Sequence, residues 1–244
     1  MKRLLLGPRA ASEGIRAAPG QVSVVYLQAG GGHTAELSAL ARNRNVAIQE
    51  RTAEELDAMA EGVRHQGVIA IAGEYVYCQL EDLLEATGPS TVILALDQIQ
   101  DPHNFGAIVR SAVALGAVGI ITLKDRAAPV TPVVVRASAG ATERARIARV
   151  TNLARTLGEL REREIQVVGL AAEGSHAIDA LPGAPNGRAL VVGSEGDGLR
   201  RLVRENCDHL ARIPMSGALA SLNASVAAAI ALYECVRLRE TESR

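Results

Sequence analysis

The stretch from Ala189 to Ile230 limits the fold more than any other part of the chain. It opens on four apolar residues, Ala189-Leu190-Val191-Val192, whose length and composition suit a buried parallel strand. Gly193-Ser194-Glu195-Gly196-Asp197-Gly198 follows without a break, and a helix-like segment runs from Leu199 to Asn206. A second short strand, His209 to Ile213, stops at Pro214. A loop of small residues, Met215 to Ser221, then leads into a long helix beginning near Leu222. Two strands therefore hand over to two helices through short loops. In an open α/β sheet, loops of this kind leave the carboxyl ends of the strands and enclose a crevice for a small ligand. Glycine lets the backbone approach such a ligand closely, and the small residues of the second loop leave N–H and C=O groups within reach. Taken alone, each loop also has the composition of an ordinary turn before a helix.

The same alternation extends toward the N-terminus. Thr91–Leu96, Gly119–Leu123 and Gln166–Leu170 read as strands, and Thr151–Arg163 as a helix with Leu153, Leu157 and Leu160 on one side. Ala128–Val135 is punctuated by proline, Arg136–Ala141 is a tight run of mostly small residues, and Gly174–Gly187 is largely loop. Strands alternating with helices predict a parallel sheet covered by helices. The last helix, to about Arg239, carries Leu222, Val226, Ile230, Tyr233 and Val236 at helical spacing, which marks core or interface positions.

The first seventy residues form a compact βαβαβα pattern of their own. Leu4–Leu6, Val22–Leu27, Asn45–Gln49 and His65–Ala72 read as strands. Ala10–Ala18, a segment capped by Thr34 and running through Ala41, and Thr52–Met59 read as helices. The Gly30-Gly31-Gly32 turn lacks the Lys-Ser/Thr ending of a phosphate-binding loop, and His33 and His65 lack partners at metal-ligand spacing. This pattern predicts an accessory recognition domain over residues 1–73. A linker follows over 74–90, with a helix at Leu80–Ala86, and the main domain covers 91–244.

Composition narrows the class. Aromatic residues make up only 2% of the chain, with no Trp and one Phe, so the core must be aliphatic, as parallel strands favour. The net charge of −1 excludes a bulk polycation, so any nucleic-acid contact must use local clusters. Candidates are Lys2, Arg3, Arg9 and Arg16; Arg144, Arg146, Arg149 and Arg155; and Arg200, Arg201 and Arg204. Cys78, Cys207 and Cys235 are scattered, which indicates neither disulfides nor structural zinc. No signal-peptide pattern and no apolar run of about 18 residues is present, so a soluble cytoplasmic protein is expected.

A second polar cluster sits where the Thr91–Leu96 strand gives way to a helix: Asp97-Gln98-Ile99-Gln100-Asp101-Pro102-His103-Asn104-Phe105-Gly106-Ala107-Ile108-Val109-Arg110-Ser111. Pro102 suits the first helical position with Asp101 as its cap. Asn104 and Arg110 lie six residues apart, about 600° around a helix axis, so a regular helix does not stack them. They converge only if Asn104 sits in the opening turn. One rival reading, a dinucleotide-dependent oxidoreductase built on Gly193, Gly196 and Gly198, lacks the acidic residue expected about 20 positions on, where Pro214–Ala220 stand. A catalytically idle RNA-binding or antibiotic-resistance protein is a second rival.

Three motifs in this order and at this spacing resemble the SpoU/TrmH branch of the SPOUT RNA methyltransferases. They are LDQIQDPHNFGAIVRSA at Leu96–Ala112, VVGSEGDGL at Val191–Leu199 and IPMSGALASLNASVAAAI at Ile213–Ile230. HQGVIA at His65–Ala70 extends the likeness toward the bacterial 23S rRNA guanosine 2′-O-methyltransferases. The resemblance implies an α/β fold with a parallel sheet and a C-terminal trefoil knot, preceded by a small ribosomal-protein-like RNA-binding domain. It implies S-adenosylmethionine as cofactor, RNA as partner, most closely 23S rRNA, and a homodimer with residues of both subunits near each site. A tRNA or an adenosine-directed, resistance-type substrate is the alternative within the same family. Carried over by motif position, the catalytic set is Asn104, Arg110, Glu195, Ser221 and Asn223. The cofactor contacts are Gly193, Gly196, Ile213, Met215 and Leu222, and no metal is expected. Arg110 is the family's proposed proton acceptor. A guanidinium keeps its proton under protein conditions, so holding a phosphate and the developing oxyanion suits it better. Glu195 is expected to orient Arg110 or Asn104.

Overall fold

A computed structural model describes residues 2–30, 35–217 and 221–242. The expected Thr34 cap, His33 and part of the Gly30–Gly32 turn fall outside these residues. The chain divides into two compact units, residues 1–76 with 129–144 and residues 77–128 with 145–244.

The first unit holds strands β1 (Arg3–Leu6), β2 (Val22–Gln28), β3 (Ala47–Arg51) and β4 (Val68–Ala72), with helices α1 (Pro8–Ala17), α2 (Ala35–Asn43) and α3 (Ala53–Ala60). Its described strands form one sheet in the order β1-β4-β2-β3. The β1–β4 and β4–β2 pairs are antiparallel and β2–β3 is parallel. Leu5, Ile15, Val25, Leu37 and Val68 fill the core on one side of the sheet, and Leu6, Leu56, Ile69 and Ile71 that on the other. Thr52 caps α3 in a reciprocal box with Glu55, each side chain taking the other's backbone N–H, which stabilises the first turn. His65 is buried: the Gly67 N–H donates to its Nδ1, so its Nε2 carries the proton and donates to Asp57 Oδ1 at 2.9 Å. The residue pins the turn into β4 through both ring nitrogens.

The second unit begins with α4 (Leu80–Glu85), β5 (Val92–Leu96), α5 (Pro102–Ala114) and β6 (Gly119–Leu123). The chain then passes through α6 (Pro132–Ala137), which packs on β1 in the first unit. It returns as β7 (Ile147–Val150), α7 (Leu153–Glu162), β8 (Gln166–Leu170), β9 (His176–Ala177), β10 (Arg188–Val192), α8 (Arg201–Glu205), β11 (His209–Arg212) and α9 (Ala224–Glu242). The strands pair in parallel throughout, in the order β7-β6-β5-β10-β8-β11-β9. Every residue of β5, β6 and β10 is buried, as strands covered on both faces require.

Three elements depart from the sequence reading. α6 occupies the proline-punctuated stretch because Pro132 stands at the first helical position beneath the Thr131 cap, where its missing N–H is no loss. β7 and the two-residue β9 were not expected. From β5 the chain steps to β6 and β7 on one side, then crosses to β8, β10 and β11 on the other. The sheet order therefore reverses between β5 and β10, where crevices form. Among the described residues no helix is long and apolar enough to cross a membrane.

Candidate active site

Four adjacent strands, β5, β10, β8 and β11, send their carboxyl ends to this reversal point. The loop after β10 is fixed by its own backbone. The Gly198 N–H donates to the Ser194 carbonyl at 3.1 Å, and the turn between them uses positive φ at Gly196 (+89°) and Gly198 (+65°). Gly193 has no room for a side chain, because a Cβ there would stand 2.2 Å from the Gly198 carbonyl carbon. The end of the loop is clamped to β5. Asp97, 1% exposed, accepts the Arg200 backbone N–H at 2.9 Å on Oδ2 and the Arg200 Nε and Nη2 at 2.7 Å on Oδ1. Neither Asp97 nor Arg200 was singled out from sequence as a pair. The available signal was a carboxylate ending an all-apolar strand, where burial demands a cationic partner.

A polar junction ties the three motifs together. Asp101 caps α5, accepting from the His103 and Asn104 N–H groups, as expected. Asn104, buried in the first turn, donates from Nδ2 to Glu195 Oε1 at 3.0 Å and accepts on Oδ1 from Asn223 Nδ2 at 2.9 Å. Asn223 Nδ2 also reaches Glu195 Oε1, which takes the Ala224 N–H at 3.3 Å as well. Asn223 Oδ1 in turn caps α9, accepting from the Ser225 and Val226 N–H groups and the Ser225 hydroxyl. Glu195 thus orients Asn104 and Asn223. Arg110, six residues along the regular helix α5 and so about 240° around its axis from Asn104, is exposed to solvent.

Beside the junction lies a cavity of about 610 Å³, within the range that holds a small ligand. Glu195, Ser221 and Asn223 line it, as do Gly193, Gly196, Ile213, Met215 and Leu222. Eight of the ten residues expected from sequence therefore surround one space, Asn104 stands behind it through its bonds to Glu195 and Asn223, and Arg110 is not in its wall. The sequence reading passes over one charged wall residue, Glu173 after β8, and offers its ion-pair partner Arg204 on α8 only as a nucleic-acid contact. Glu173's own backbone N–H, then the Arg204 guanidinium, hold its carboxyl below the ordinary range.

The site does not suit thiol chemistry. Burial pushes the nearby Cys207 thiol up to about 12, with Asp208 adding to the effect, so the nucleophilic thiolate is scarce at neutral pH. Among the described residues no group of His, Cys, Asp or Glu could hold a metal ion. The arrangement instead offers a glycine-walled crevice with backbone groups, a fixed amide–carboxylate–amide junction at its edge and a separate exposed arginine. It can bind a nucleoside-sized donor and position an oxygen beside it.

The SpoU rRNA Methylase family matches residues 91–233, and the family described as RNA 2′-O ribose methyltransferase substrate binding matches residues 4–78. The putative TrmH family tRNA/rRNA methyltransferase YacO of Bacillus subtilis (strain 168) is 45% identical over 85% of this chain and 84% of its own length. The 23S rRNA (guanosine-2′-O-)-methyltransferase RlmB of Bordetella pertussis is 39% identical over 98% of both chains. Among solved structures, the SpoU methyltransferase AviRb from Streptomyces viridochromogenes, in complex with the cofactor AdoMet, superposes with a TM-score of 0.80. That alignment has 27% identity and covers 98% of this chain and 91% of that one. With two family matches in tandem and a crevice assembled from all three motifs, the chain belongs to the SpoU rRNA methylase family of RNA 2′-O-ribose methyltransferases.

Proposed function

We propose that the chain methylates the 2′-oxygen of a guanosine ribose in 23S rRNA, with S-adenosylmethionine bound in the cavity at the carboxyl ends of β10, β8 and β11. The observation that carries this reading is the junction of Asn104, Glu195 and Asn223 on the wall of that cavity. Three segments far apart in sequence meet there at a single carboxylate oxygen. The substrate is taken from relatives such as RlmB of Bordetella pertussis, which this chain matches end to end.

The residues present fit the cofactor. The cavity volume accommodates it, and Gly193, Gly196 and Gly198 in the wall put backbone that no side chain shields beside the space. When bound, the sulfonium supplies an electrophilic methyl group, so the chain's own task is to position reactants and manage one proton. Asn104 and Asn223, held by Glu195, fix the start of α9 and leave Ser221, two residues before Asn223, at the cavity edge. Arg110 holds a neighbouring RNA phosphate and stabilises charge developing on the attacking oxygen.

The functional unit is a cytoplasmic homodimer. Val226, Ile230 and Tyr233 stand at helical spacing along α9 and remain 46%, 37% and 53% exposed, an apolar stripe of the kind that a partner covers. α9 packs beside α5, the helix that carries exposed Arg110, and the pairing brings Arg110 of one subunit to a cavity of the dimer. The C-terminal segment of the second unit threads a trefoil knot, and residues 1–73 bind the RNA.

The test is transfer of labelled methyl from S-adenosylmethionine to 23S rRNA fragments, followed by mapping of the modified nucleotide. The expected product is one 2′-O-methylguanosine. Label on adenosine ribose or on tRNA would replace the substrate, and RNA binding without transfer by the unaltered chain would remove the activity. Arg110→Lys should lower kcat by about 100-fold or more, because a planar fork becomes a point charge.

A further inference from the structure

The Glu173–Arg204 pair is the one charged pair in the cavity wall, among the described residues, that the reading above leaves unused. We propose that Glu173 accepts both ribose hydroxyls of the methyl donor and that Arg204 positions its carboxylate to do so. This rests on the cavity being the donor's site.

The sheet order places the pair. The Asn104–Glu195–Asn223 junction belongs to the β5 and β10 ends, whereas Glu173 follows β8, on the other side of β10. If the reactive sulfonium sits at the junction, a group reaching toward β8 meets Glu173. The donor's adenosine carries a vicinal diol, which presents two O–H donors to one place. Among the described residues the wall holds three carboxylates, Glu173, Glu195 and Asp197. Glu195 is committed to Asn104, Asn223 and the Ala224 N–H. Asp197 lies at the tip of the glycine turn, between Gly196 and Gly198. Glu173 remains.

Its acceptor capacity matches. An ionised carboxylate offers about four lone-pair sites. Its own backbone N–H and Arg204 engage it already, which leaves room for the two hydroxyls. The same use of one acidic side chain for a ribose diol is general in nucleotide recognition. Arg204 is itself fixed: its N–H donates to the Arg200 carbonyl at 2.9 Å, and Arg200 is clamped to Asp97. The carboxylate is thus held by a residue anchored to the same loop that forms the cavity.

The experiment is calorimetric titration of the full chain with S-adenosylhomocysteine, its 2′,3′-dideoxy form and 5′-methylthioadenosine, which lacks the amino-acid head. For the unaltered chain, removal of the hydroxyls should weaken binding about 10- to 100-fold, the value of charge-assisted hydrogen bonds. Glu173→Ala should weaken S-adenosylhomocysteine and methylthioadenosine by a similar factor and leave the dideoxy compound unchanged. Equal losses for the dideoxy compound, or no loss for any ligand, would overturn the assignment. A loss for S-adenosylhomocysteine alone would also overturn it and make Glu173 a contact of the amino-acid head. Arg204→Gln should reproduce the Glu173→Ala pattern in weaker form; a larger loss for the dideoxy ligand would reject its positioning role. Ala227→Trp, which fills the wall, separates the two readings. It should abolish binding of all three ligands, and undiminished binding would remove the cavity as the site and this proposal with it.

Discussion

At Gly193 a single missing atom decides whether the turn after β10 can close on itself. A methyl group there would meet backbone, the Gly198 carbonyl carbon at 2.2 Å and the Leu199 nitrogen at 2.6 Å, and backbone cannot swing aside as a side chain can. Gly193→Ala should therefore displace the whole turn. Calorimetry should find S-adenosylmethionine binding reduced at least about 100-fold with the fold retained; binding within a factor of three of the unaltered chain would show that the turn yields. Asp97 makes the complementary case, since here it is a charge that must be kept. It is 1% exposed and Arg200, its partner, 42%. Removing Arg200 leaves a buried carboxylate with fewer donors, while water reaching the outer half of the pair softens the loss. Arg200→Ala should cost about 1–3 kcal/mol in chemical denaturation and weaken the donor through the loosened loop. An unchanged midpoint would mean that solvent replaces the guanidinium fully.

α9 presents two kinds of surface, polar groups at its start and exposed apolar residues along its length. Its start joins the polar junction, because Asn223 caps the helix while bonding Asn104 and Glu195. Val226, in that same first turn, and Ile230 and Tyr233 farther along stay exposed. α5 has the same division, with Asn104 buried in its first turn and Arg110 outside. In a homodimer formed through α9, Arg110 can serve its own subunit's cavity or the partner's, and mixed dimers distinguish the two. Arg110→Ala and Asn223→Ala subunits, each inactive alone, are combined one to one. If Arg110 serves the partner's cavity, a mixed dimer carries both lesions at one site and none at the other, so methyl transfer returns to about half per mixed dimer. If it serves its own, every site has one lesion and no activity returns. Ile230→Glu should first abolish the dimer in sedimentation velocity; a monomeric unaltered chain would end the argument at that step.

Across the whole chain, what could be read beforehand was what lies close in sequence. β5, β6 and β10 are apolar runs because both faces are covered, and Asp101-Pro102 announces its helix by local capping. β7 escaped because Ile147-Ala148-Arg149-Val150 is short and includes an arginine, which stacks 4.9 Å over Tyr77. The Asp97–Arg200 clamp spans 103 positions and the Asn104–Asn223 bond 119, and no local pattern encodes such pairings. The same holds for residues 129–144, which pack with residues 1–76. Arg3 on β1 bonds Glu143 at 2.8 Å, with side chains 8% and 5% exposed, and Arg3 Nε and Nη1 are buried without hydrogen-bond partners among the described residues. The pair is thus incompletely compensated. Burial pushes the Glu143 carboxyl above its ordinary value of 4.5 even with Arg3 beside it. A carboxyl raised in the native state is protonated there at pH values where the unfolded chain has already lost the proton. Its contribution to stability is then complete below pH 4.5 and disappears as pH rises through the native value. In urea titrations, the unfolding free energy of the unaltered chain minus that of Glu143→Gln should therefore shrink from pH 4.5 upward. A difference that grows with pH would mean that the pull of Arg3 outweighs burial. Arg3→Met alone should destabilise by about 3 kcal/mol, since it strands a buried acid. Arg3→Met with Glu143→Leu should recover most of that loss, as replacing a whole buried pair by packed apolar groups generally does.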